Sequence, residues 1–221
     1  MLSTKSGGDA AATPTRTDLA GSDLIRNEPL QQRSTVRLAL LLDSAAAVVS
    51  EIGYERLTTA LVAERAHSSI GTVYRYFPDR LVVLQALTAR ALSRFLDAGI
   101  AQVSADHENW LDAFTAAVDY VAESYRNEPG FSSLRFGDVI DLRPTPGSET
   151  NNGIIAAEIA AVLRDKYDVT TEKLALHVEI ALTLADALLA RAFAFDRKGD
   201  TRLIAEAKTV AREYLFSRVE E

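Results

Sequence analysis

The chain contains no cysteine. That excludes a disulfide scaffold, a thiolate zinc cluster, an iron–sulfur centre and a cysteine nucleophile, and it fits a reducing, cytoplasmic setting. Histidine is nearly as scarce, and His67, His107 and His177 stand far apart in the sequence. None has a second ligand nearby along the chain, so each reads as an ordinary histidine and no metal site is expected. Long apolar runs are missing too: Asp43 interrupts the stretch 38–49 and Asp186 the stretch 180–190. Neither reaches the ~18 to 20 apolar residues of a spanning helix. Residues 1–30 have no apolar signal-peptide region, so no membrane association is expected. Enzyme signatures are absent: there is no G-x-S-x-G elbow, no H-E-x-x-H, no P-loop and no G-x-G-x-x-G. Asp112, Asp119 and Glu123 have the spacing of a solvated helix face rather than a catalytic carboxylate pair. Neither an enzyme nor a cofactor is expected.

What remains is an ordinary globular composition, 48% apolar over 221 residues, enough for one large or two small cored domains. The net charge of −7 is unevenly placed: −1 over residues 1–30, +2 over 31–90 and −8 over 91–221. An acidic body repels a polyanion, so any nucleic-acid contact must come from 31–90.

Residues 1–30 are rich in Ser, Thr, Gly, Ala and Asp without an apolar period and read as a mobile arm. Leu38, Leu41, Leu42, Ala45, Val48, Val49 and Ile52 then fall at helical spacing and stop at Gly53. Thr58 or Thr59 caps a two-turn helix through Val62, Ala63 and Ala66, and Ser69 caps a third helix that Pro78 ends. A long linking helix is expected over 79–103, another through Trp110 and Tyr125 up to Pro129-Gly130, a short helix and open loop over 131–148, and helices at about 149–166, 171–197 and 201–218. No strand alternation appears. The fold class is therefore all-α, with about nine helices.

Residues 58–77 meet the mechanical requirement for reading duplex DNA, a short helix across the backbone and a second entering the major groove with its N-terminal residues. Gly71 permits close approach, Thr72 offers a hydroxyl and a methyl, and Arg75 can fork onto guanine. Tyr74 and Tyr76 pair apolar rings with hydroxyls that reach phosphate, while Thr59 and Arg80 can clamp the flanking backbone. The alternative is a helical hairpin whose tyrosines only cover a core.

Thr58-Thr59, Val62-Ala63, Ala66, Ser69, the run Gly71-Thr72-Val73-Tyr74-Arg75-Tyr76-Phe77, Arg80 and Val83-Leu84 resemble the DNA-binding domain of the tetracycline-repressor (TetR) family. The resemblance covers residues 33–84. It implies a homodimer bound to double-stranded DNA at a near-palindromic operator and released by a small molecule held in the C-terminal domain. It places Thr59, Tyr76 and Arg80 on phosphates and Ile70, Thr72, Tyr74 and Arg75 in the groove; Ser69 and Gly71 join the DNA-binding candidates by their place at the start of the third helix. Three positions depart from the pattern. His67 must make the bend that glycine normally makes, Ser68 replaces an apolar pin between the two helices, and Ile70 replaces a polar residue.

Beyond Pro78 the helix at 171–197 is apolar almost all round and needs partners on several faces. With the last helix it can form a two-fold four-helix interface, through Leu188, Ala192, Leu203, Ala207, Val210 and Tyr214; an intrachain core is the alternative. Phe95, Trp110, Phe114, Phe131 and Phe136 can line an effector cavity, oriented by Glu179, Thr183 and Asp186; plain core aromatics and a solvated stripe are the alternative.

The expectation is thus a mobile arm (1–30), an N-terminal three-helix helix-turn-helix DNA-binding domain (31–78) and a C-terminal helical dimerisation and ligand-binding domain (79–221). The function expected is a cytoplasmic dimeric repressor that a moderately hydrophobic ligand releases from DNA. The competing expectation is a protein-interaction module on the same helical scaffold, without tight DNA binding.

Overall fold

The computed structural model describes residues 32–131 and 150–219. The expected arm, the helix and loop at 132–148 and the candidate Phe136 lie outside these residues. Among the described residues the regular elements are all helical: α1 (Gln32–Ile52), a 3-10 turn (Tyr54–Arg56), α2 (Thr59–Arg65), α3 (Ile70–Tyr76), α4 (Arg80–Arg94), a π-helical turn (Phe95–Gly99), α5 (Ile100–Val103), α6 (Trp110–Asn127), α7 (Asn151–Tyr167), α8 (Leu174–Ala192) and α9 (Thr201–Val219).

Local chemistry sets the boundaries. Thr58 Oγ1 accepts from the Leu61 amide, Ser69 Oγ from Thr72, Asp79 Oδ1 from Val82, Asn109 Oδ1 from Leu111 and Asp112, and Thr150 Oγ1 from Gly153, so these helices start on side-chain caps. Helix α1 stops where Gly53 takes φ 82°. The expected helix at 171–197 is shorter at both ends, because Lys173 turns left-handed with φ 58° and Phe193 leaves the helical region.

Two cores result. In the head, Leu41, Ala45 and Val49 of α1 meet Leu57, Val62, Val73 and Phe77, and Val83, Leu84 and Leu87 of α4 complete the cluster. In the body, Leu92, Phe95 and Leu96 pack with α6 to α9. Helix α4 therefore belongs to both cores, and the head extends past Pro78 as far as Leu87. The expected long helix at 79–103 is interrupted by the π turn, where Gly99 presses against the rings of Phe95 and Tyr120. A Cβ there would lie 3.1 Å from Tyr120. A second link joins the cores where α6 ends: Gly130, with φ 79°, sits so close to α1 that a Cβ would lie 2.9 Å from the Ala46 carbonyl oxygen. Arg90–Asp43 at 2.7 Å and Arg94–Glu128 at 3.0 Å flank that contact. Burial, and then the neighbouring Arg94 charge, hold the Arg90 guanidinium below its ordinary value.

Candidate nucleic-acid interface

The turn between α2 and α3 is closed by two backbone bonds, Ser68 N–H to the Ala63 carbonyl at 2.9 Å and His67 N–H to the Glu64 carbonyl at 3.1 Å. These form a Schellman end for α2, and His67 fills the left-handed position with φ 47°. The bend expected of His67 is thus made by His67. Ser68 does not leave a simple gap: its hydroxyl donates to the Ala66 carbonyl at 3.2 Å and accepts from Arg37 Nη1 at 3.3 Å.

Helix α3 then presents Ser69, Ile70, Gly71, Tyr74 and Arg75 to solvent, with Thr72 half-buried beside them. Ser69 Oγ and Thr72 Oγ1 lie 2.9 Å apart, so the two hydroxyls orient each other. Behind this face Val73, Tyr76 and Phe77 are buried. The seven-residue helix therefore divides into a packed stripe and an open one. Gly71 carries a further clue. A Cβ built on it meets nothing nearer than Ser69 Oγ at 3.9 Å, and its backbone is ordinary helix, so nothing inside the chain calls for glycine. Glycine in a helix costs about 1 kcal/mol relative to alanine.

Two assignments on this surface need correction. Thr59 is only 8% exposed, inside the first turn of α2, and the residue at the open end is Thr58, which already caps the helix. Tyr76 is 7% exposed, and its hydroxyl lies 3.1 Å from Ser34 Oγ of α1. Both side chains are packed into the head, Tyr76 against α1, and expose little surface. Arg80 is exposed, and one of its donors binds the Glu55 carbonyl at 2.8 Å.

The expected effector residues scatter. Phe95 and Asp186 share a small cavity with Val118, Val121, Asn152, Ile155, Leu182, Ala185 and Leu189. Its volume of about 20 Å³ holds about one water molecule. Asp186, 7% exposed, accepts from the Tyr125 hydroxyl at 2.9 Å. Glu179 and Thr183 do not line this cavity. Glu179 Oε1 accepts from Thr150 at 2.6 Å and Thr183 Oγ1 from Asn152 at 3.3 Å, so the polar stripe of α8 fastens the start of α7. Phe114 is core, Phe131 meets Tyr125 edge-on at 5.1 Å, and Trp110 stacks on Phe216 with centroids 6.5 Å apart. Tyr125 and Asn152 escaped sequence reading, because each sits in an ordinary helical pattern and acquires its role from a residue on another helix.

The expected two-fold interface also divides. Ala192 and Ala207 are buried by the chain's own helices and have no surface to offer a second copy. Leu188, Leu203, Val210 and Tyr214 remain half-exposed, and Leu176 and Leu184 are open along the same four-residue stripe of α8 as Ile180 and Leu188. None of the described helices is long and apolar enough to cross a membrane.

Comparison with known proteins places these features in a family. The family described as "Tetracyclin repressor-like, C-terminal domain" matches residues 108–219, and "Bacterial regulatory proteins, tetR family" matches residues 41–87. The HTH-type transcriptional repressor KstR of Rhodococcus jostii (strain RHA1) is 34% identical over 91 residues, 41% of each chain. KstR of Mycobacterium tuberculosis (strain ATCC 25618 / H37Rv) is 34% identical over 85 residues, 38% of this chain and 39% of its own. The match thus spans about two fifths of the length of these curated relatives. A TetR-family transcriptional regulator from Streptomyces coelicolor superposes with a TM-score of 0.65 at 28% identity, covering 82% of this chain and 99% of that one.

Proposed function

Because the chain belongs to the TetR family of transcriptional regulators, we propose that it is a cytoplasmic, dimeric repressor that grips a near-palindromic DNA operator and is released by a small, moderately hydrophobic ligand. The observation that carries this reading is Gly71. A helix that gives up stability for a missing side chain, at an exposed position with free space inside the chain, is shaped for an outside surface. Ile70 and Tyr74 add apolar contacts for thymine methyls and sugar edges, and Arg75 supplies a guanidinium for guanine. Arg80, exposed at the start of α4, serves the flanking phosphates.

The dimer is supported by the leucine stripe of α8 and its half-buried neighbours on α9, apolar surface on an otherwise charged body. Pairing two heads sets their separation on DNA at one helical turn or a multiple, ~34 to 36 Å. The ligand site is the cavity between Phe95 and Asp186. A drug-sized ligand needs ~300 to 1,000 Å³, so its entry must part the walls. One wall is the π turn that continues α4 into the body, which gives the ligand a direct hold on the helix shared with the head.

The test is selection of a duplex from a randomised pool, followed by titration of salt. A repressor shows log affinity falling steeply with log salt; a protein-interaction module enriches no sequence. Arg75→Ala relaxes preference at one position of the selected duplex, by about 1 to 3 kcal/mol, whereas Arg80→Ala weakens all duplexes alike.

A further inference from the structure

Arg37 of α1 stands where nothing in the helix-turn-helix pattern requires a cation. Its Nη1 donates to Ser68 Oγ at 3.3 Å across 31 residues of sequence. Ser68 immediately precedes Ser69, the cap of α3, so this guanidinium lies at the N-terminal end of the recognition helix. In a helix-turn-helix complex that end enters the groove, and the rims of the groove are phosphates. Three other arginines are paired with carboxylates: Arg65 with Glu51 at 2.6 Å, Arg90 with Asp43 and Arg94 with Glu128. Arg37 is exposed, and among the described residues no carboxylate lies within 4 Å of it.

We propose that Arg37, aimed by Ser68, is a phosphate-binding residue of the head that lies outside the α3 face. The proposal rests on the DNA-binding reading above and adds a contact to it. It also accounts for Ser68. The hydroxyl proton is committed to the Ala66 carbonyl, so a lone pair of the same oxygen faces Arg37. A valine or leucine at position 68 would pack the turn but leave the guanidinium unaimed. One bond to Ser68 occupies one of five N–H donors, and the rest of the planar fork is available to a phosphate. Ser34, one turn earlier on α1, bonds Tyr76 at the far end of α3, so the first turns of α1 reach both the turn before the recognition helix and its last turn.

The experiment uses the full chain with two probes, a duplex selected by the wild-type protein and a mixed-sequence duplex of equal length, each titrated from 50 to 200 mM salt. Each lost phosphate contact lowers the slope of log affinity against log salt by about 0.9. Arg37→Ala is expected to lower the slope by about that amount on both probes, so that its deficit shrinks about threefold across the range. Its melting temperature and base preference stay those of the wild type. Arg37→Lys keeps the slope. Ser68→Ala keeps the slope and weakens both probes a few-fold, because the charge remains while its aim is lost. An unchanged slope in Arg37→Ala overturns the proposal while leaving the DNA-binding reading intact; should that variant misfold, Arg37→Gln is read by the same criterion. Wild-type affinity in Ser68→Ala overturns the role given to Ser68. If the wild-type protein binds neither probe, the DNA-binding reading falls and takes this contact with it.

Discussion

In the head, the side chains with the proposed task point away from a small core, and in the body they point into a large one. Ile70, Tyr74 and Arg75 stand on an open stripe whose reverse side is Val73, Tyr76 and Phe77. Phe95 and Asp186 instead both line a cavity with room for about one water molecule. Recognition of a stiff polyanion needs a rigid surface prepared in advance, whereas capture of a small apolar molecule needs a core that can open. Helix α4 is common to both cores, so an opening at its π turn reaches the head without passing through a loop.

The sharpest way to break this division is to destabilise one core alone. Phe77→Ala, at a fully buried position, is expected to cost about 3 to 5 kcal/mol and abolish DNA binding. Hydrogen exchange should then show the amides of α2 and α3 opening while those of α7 and α8 stay protected. Equal loss in both sets would mean that the two cores fold as one unit. Leu184→Glu places a charge on the exposed stripe of α8, and sedimentation should show single subunits with selected-duplex affinity down more than 100-fold. In the body, Tyr125→Phe strips the hydroxyl from the buried Asp186 carboxylate and should lower stability by about 1.5 to 3 kcal/mol in denaturant titration, with mixed-sequence DNA affinity unchanged.

Smaller effects refine the comparison. Gly71→Ala should raise stability by up to about 1 kcal/mol yet weaken the selected duplex roughly tenfold, opposite signs that only an external surface explains. The hydrogen bond from Arg212 holds the Asp112 carboxyl below its ordinary value of 3.8, with the guanidinium charge adding to it. A depressed carboxylate stabilises the fold above its unfolded value, and that contribution disappears as pH falls through the lower folded value. The stabilities of wild type and Asp112→Asn should therefore differ fully above about pH 3.8, by no more than about 1 kcal/mol for so exposed a pair, and draw together as pH falls below it through the lower folded value.

The helix starts at Thr58 or Thr59, at Ser69 and near Asp79, and most of the exposed positions of α3, were legible in the sequence, since caps and apolar spacing act within a few residues. Thr59 and Tyr76 were misplaced for one reason. Which side of a short helix is covered depends on what packs behind it, and that is α1, more than 20 residues away for Tyr76 and Ser34. Glu179 and Thr183 were misplaced likewise: their spacing defines a stripe on α8, but only the position of α7 makes that stripe an anchor instead of a cavity wall.

Local order alone settled that this chain is helical, where most helices begin, and that a short capped helix with Gly71, Tyr74 and Arg75 follows a tight turn, because those features arise from contacts between near neighbours. Long-range packing decided which tyrosine faces out, which alanines are hidden, how α4 joins two cores and how Arg37 comes to rest beside Ser68. Those outcomes depend on the relative placement of whole helices, which no periodicity within one helix encodes.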